Sequence, residues 1–185
     1  MPDTESDRNM SEEPETSVRM GIDEKLQRFN QALLGEDELG AVVRGHIYIE
    51  SELIDFIRAR LPNPAGIKDL EIDYYGRIKL AIALGLDESF GPSLKFVGTL
   101  RNRFAHRLDA AIGKQDADAF EKALGPHKAV TSEAFKTAHI KRGTFETTVA
   151  IKQQEPRDRV TLGFVTLWAA MAVAVYQAAR LDITT

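Results

Sequence analysis

The chain has 185 residues, with 24 Lys+Arg against 28 Asp+Glu and no cysteine. That length suits one domain plus tails, because two cores would leave each half near the lower limit for independent stability. A net charge of −4 excludes a protein that coats nucleic acid by bulk electrostatics but leaves room for a local basic site. Without cysteine there is neither a disulfide framework nor a thiolate metal site, and a reducing cytoplasm is the expected compartment.

Residues 1–22 are dominated by Asp, Glu, Ser, Thr and Pro, with no basic region leading into an apolar core, so they read as a loosely ordered tail rather than a signal peptide. The domain is expected over 23–185. A short helix is predicted around Glu24–Leu34. Between Asp37 and Leu61, Leu39, Val42, Val43, Ile47, Ile49, Leu53, Ile54 and Ile57 recur at steps of three and four, an amphipathic helix ended by Pro62-Asn63-Pro64. Tyr74–Leu86 repeats the pattern, with Gly85 near its end.

A further helix is predicted from near Pro92 to beyond His106, with Val97, Leu100, Phe104 and Leu108 on its apolar stripe. Lys95, Thr99, Asn102 and His106 fall on the opposite side. Asp116–Leu124 predicts another short helix ended by Gly125-Pro126. Thr144–Ile151 alternates apolar and polar residues and predicts a short strand or hairpin, though one strand needs a partner. Val160–Ala179 carries no formal charge and has the length of a membrane span. Its alanines, Thr161, Gly163, Thr166 and Gln177 favour a core helix, with Trp168 and Tyr176 as packing and interface residues. The fold class is therefore mainly α, a helical bundle.

Leu100-Arg101-Asn102-Arg103-Phe104-Ala105-His106 is the segment that looks chosen for chemistry. A guanidinium is a permanent planar cation suited to phosphate, and imidazole exchanges protons near neutral pH. Arg101 and His106 lie about 140° apart around a straight helix, so a bend, long-side-chain reach or a second protomer must aim them at one point. His46 and Glu50 have the spacing of two metal ligands on one helix face, but no third ligand is identifiable, and Glu50 is expected to bond within the bundle. His127, His139 and the short run Lys141-Arg142 read as surface residues. Neither a Walker-type phosphate loop nor a nucleophile elbow is present.

Arg101-Asn102-Arg103-Phe104-Ala105-His106 resembles the Arg-Asn-x-x-x-His signature of the HEPN superfamily, small helical proteins of higher eukaryotes and prokaryotes named for nucleotide binding. Arg44-Gly45-His46-Ile47-Tyr48-Ile49-Glu50 and Arg77–Leu86 before it are similar to the mannitol operon repressor-like branch, a resemblance that spans about residues 38–109. Leu108 stands where many HEPN toxins carry a tyrosine.

The resemblance implies a homodimeric bundle in which Arg and His of two protomers face a shared cleft. It implies one of two functions, and fold kinship does not choose between them. The leading expectation is RNA binding with metal-independent endoribonuclease activity. His106 would take the proton of a ribose 2′-hydroxyl, Arg101 would neutralise charge on the attacked phosphate, and Asn102 would orient the histidine or the phosphate. The alternative is a non-enzymatic regulator acting through a protein partner, and an antitoxin is a candidate partner under the toxin reading. Neither a cofactor nor a membrane enters either expectation.

Overall fold

Two aspartates set where two helices begin. The Asp37 carboxylate accepts the Gly40 N–H at 2.7 Å, and Asp73 accepts that of Gly76 at 2.6 Å, each satisfying a donor that the first helical turn leaves unpaired. The computed structural model describes residues 24–33, 35–67, 70–131, 137–142, 145–150 and 155–181. The tail expected over residues 1–22 lies outside the described residues.

In chain order the helices are α1 (24–33), α2 (Glu38–Arg60), α3 (Tyr74–Ala83), α4 (Phe90–His106), α5 (Lys114–Leu124) and α6 (Pro156–Leu181). Short 3-10 turns at Pro64–Ile67 and Gly125–Thr131 follow α2 and α5. The break after α2 falls at Leu61, whose backbone is extended as the residue before a proline requires. Gly85 ends the α3 region at φ 102, where a side chain would be strained. Arg60 donates to the Leu84 carbonyl at 3.1 Å, placing a cation at the negative end of α3.

Helix α6 runs through the centre, packed on α2 and α5, while α4 bridges α2, α3 and α5. Both α6 crossings depend on glycine. A Cβ at Gly45 would lie 2.6 Å from the Phe164 ring, and one at Gly163 would lie 2.6 Å from the Phe120 ring. The apolar stretch of α6 is mostly buried inside the protein, as a core helix requires. At its start, Arg159 is pinned by Asp118 at 2.6 Å and Glu121 at 2.8 Å on α5. Trp168, expected among the packing and interface residues, is 2% exposed and packs on Phe29 of the same chain. Tyr176 is half-buried and accepts from Arg180.

Phe145–Ala150 forms a strand, β2, within the stretch whose alternation predicted one. Its partner is β1 (Thr137–Arg142), antiparallel, with Thr137 opposite Ala150 and Arg142 opposite Phe145. His139 and Lys141 therefore lie on β1, opposite Thr148 and Glu146.

Candidate functional site

Helix α4 divides its residues by the expected period. Leu94, Val97, Leu100 and Phe104 are buried, whereas Lys95, Thr99 and His106 are exposed and Asn102 is half-buried. The helix stops at His106 and does not continue past it, because Arg107 adopts an extended conformation at φ −135, ψ 121. Leu108 consequently lies beyond the helix and is fully exposed instead of extending the apolar stripe. The turn that follows is held from α2, where the Glu38 carboxylate accepts the Ile112 N–H at 2.9 Å.

Within the motif the two arginines have separate fates. Arg101 is exposed, and its Nη1 donates to Asn102 Oδ1 at 3.1 Å, which orients the guanidinium along the helix surface. Arg103 instead turns towards α5 and grips Asp116 through both terminal nitrogens at 2.8 Å. Asp116 also accepts the Gly113 N–H at 2.8 Å, closing the first turn of α5. Burial pushes the Asp116 carboxyl up, but these hydrogen bonds outweigh it and leave the group below the usual carboxylate range. Arg103 is thus committed to the fold and Arg101 is open to a ligand. Among the described residues, no hydrogen bond or ion pair joins His106 to Arg101 or Asn102 in one chain.

Beside Arg101 lies a polar cluster that the spacing argument touched only in part. His46 and Glu50 project from α2, with Nδ1 and Oε2 3.7 Å apart, while Arg77 of α3 is ion-paired to Glu50. The His46 ring packs on Tyr74 with centroids 4.5 Å apart. Tyr74 spans to α4 and donates to the Leu94 carbonyl at 3.0 Å, and burial holds its phenol proton far more tightly than usual. Gly98 admits the Tyr74 ring, which a Cβ would approach to 2.8 Å. Leu94, Gly98 and Arg101 follow one another at steps of four and three, so Arg101 is the next α4 side chain along the face that Tyr74 covers.

Burial lowers the His46 pKa; Glu50 opposes this, and Arg101 and Arg77 reinforce it. Glu50 does bond within the bundle, and among the described residues no group of three His, Asp or Glu converges as metal ligands. Sequence showed the spacing of His46 and Glu50 but carried no sign of the Tyr74 ring or of Arg77 between helices.

His127, expected as a surface residue, is half-buried. Its Nε2 lies 2.9 Å from Ser89 Oγ, and its ring stacks on Phe90 at 3.8 Å. This contact ties the segment after α5 to the start of α4. A 440 Å³ groove between α2 and α3 is lined by Ile54, Ile57, Pro64, Leu80, Arg58 and Arg77. No α4 residue borders it, so it does not extend the surface around Arg101. No protein-family model, curated protein or solved structure matches the chain.

Proposed function

We propose that this chain is a HEPN-like protein that binds RNA and cleaves it without a metal, using Arg101, Asn102 and His106. The observation that carries the reading is the division within one short motif. Arg103 is locked onto Asp116, whereas Arg101 is exposed, steered by Asn102, and shares the outer surface of α4 with His106. A fold needs only the first arginine contact for stability. An outward guanidinium and imidazole on one rigid helix supply a phosphate ligand and a proton acceptor.

His106 would take the 2′-hydroxyl proton as that oxygen attacks phosphorus and the 5′-oxygen leaves. Arg101 would stabilise the charge gathering on the phosphate, where a planar fork fits better than an ammonium. A second copy of the chain would bring the diverging groups together. Leu39 and Ile47, 48% and 56% exposed, lie on α2 in line with Val43 and offer that copy an apolar surface.

Cleavage of single-stranded RNA in EDTA tests the reading, with DNA of the same sequence as control. RNA is expected to be cut and DNA spared, and Arg101→Lys is expected to be impaired. Intact RNA across many sequences would favour the non-enzymatic regulator, with the α2 surface engaging a protein partner instead.

A further inference from the structure

We propose that the groove between α2 and α3 binds a small aliphatic carboxylate, with its chain on the apolar floor and its head at Arg58 and Arg77. The site is separate from the α4 surface and stands whether or not the chain cuts RNA.

The first observation is an apolar space left unfilled. The groove holds 440 Å³, within the range of about 300–1,000 Å³ that small-molecule sites occupy. Ile54 and Ile57 of α2 and Leu80 of α3 line it, and Ile57, only 2% exposed, joins its floor to the core. The segment between the two helices supplies the other wall, yet none of Pro64–Ile67 is buried and Leu70 is 59% exposed. Aliphatic side chains on both sides therefore face a space that the described residues do not fill. Each methylene of a guest buried there strengthens binding about fourfold.

The second observation is the sign of the polar groups. Ten residues border the groove; eight are apolar, and the other two are Arg58 and Arg77, with no carboxylate among them. Both guanidinium groups have donors to spare. Arg77 commits Nη1 to Glu50, and among the described residues its Nε and Nη2 make no hydrogen bond. Arg58 reaches Asp55 only at 3.5 Å, between side chains 63% and 48% exposed, a contact with which water competes. A guanidinium fork matches the two oxygens of a carboxylate, and apolar walls beside it strengthen that pairing. Size argues against a protein occupant, since a stable partner engages about 20–30 residues a side and only ten border this groove.

The test titrates the full-length protein with straight-chain acids of six to twelve carbons, each below the concentration at which it forms micelles. Methyl NMR signals of Ile54, Ile57 and Leu80 are expected to shift, with affinity rising about fourfold per methylene until the chain outgrows the groove. Octan-1-ol, which lacks the charge, should bind about tenfold or more weakly than octanoate. Arg58→Gln, at an exposed position, should weaken octanoate about fivefold and leave octan-1-ol unchanged.

Ala65 is exposed on the groove wall, so Ala65→Trp should fill the space and block every probe while circular dichroism stays that of the wild type. No methyl shift with any acid, equal affinity for octanoate and octan-1-ol, or undiminished octanoate binding in Ala65→Trp overturns the site. Shifts at the exposed Leu39 and Ile47 in place of the groove residues would mark nonspecific binding of an amphiphile and overturn it as well.

Discussion

Arg103 and Asp116 form a two-pronged ion pair, both N–O distances 2.8 Å, that joins the last turn of α4 to the first turn of α5. The pair is partly shielded and shared with the Gly113 N–H, so losing it leaves a carboxylate with half its partners. Arg103→Ala is expected to lower unfolding stability by about 1–3 kcal/mol, with Asp116→Asn similar and the double variant less than the sum. Arg101→Ala, at an exposed position, is expected to change stability by no more than about 0.5 kcal/mol. Urea titrations of the four variants check this, and equal losses at 101 and 103 would erase the division on which the proposed site depends.

The histidines give stability a defined pH response. Burial comes first in holding both His46 and His127 below the ordinary imidazole value of 6.5; Glu50 opposes it at His46, and Asp87 with the Ser89 backbone opposes it at His127. With folded-state values depressed, the unfolded chain binds more protons in this window. The contribution is therefore fully present above about pH 6.5 and is lost as pH falls towards the folded-state values. Asp116 adds a loss of the same sign at lower pH, as the solution passes below its ordinary value of 3.8. Unfolding free energy measured from about pH 5 to pH 8 should rise with pH, with a shallower slope in His46→Gln and in His127→Gln. A pH slope unchanged by both His46→Gln and His127→Gln contradicts this placement of the two rings.

Much of this architecture is legible in the residue pattern, because helix periodicity, caps and breakers act within a few residues of one another. Asp37, Asp73, Pro62 and Gly85 mark boundaries that their local chemistry enforces. The pattern fails where a partner comes from far along the chain. Leu39 and Ile47 belong to the α2 period yet remain exposed, since periodicity says which residues share a face and not how far the neighbouring helices reach across it. Arg101 and Arg103 are alike as letters, and only Asp116 separates them. His127 finds Ser89, and His46 finds Tyr74, through tertiary packing that no short window contains. Trp168 packs in the core as its uncharged helix suggests, but its partner Phe29 comes from α1, which no short window around it contains.

Assembly can be read through complementation. If each cleft takes Arg101 from one protomer and His106 from its partner, a mixed dimer of Arg101→Ala and His106→Ala keeps one intact cleft of two. Equal mixing of two inactive variants is then expected to restore about one quarter of wild-type cleavage. Ile47→Glu, placed on the exposed α2 surface, is expected to give monomers by light scattering and to abolish the activity. Mixed dimers without recovered cleavage would place both groups in one chain.

The chemistry of the cut ends tests the central claim most directly. A defined RNA is incubated with purified protein in EDTA and the products are resolved by mass spectrometry. Attack by the 2′-hydroxyl predicts a 2′,3′-cyclic phosphate on one fragment and a 5′-hydroxyl on the other. RNA bearing a 2′-O-methyl group at the cut nucleotide should remain intact, and His106→Ala should slow the reaction by about 10²-fold or more without loss of fold. Fragments ending in 5′-phosphate, or undiminished cutting by His106→Ala, would contradict the account.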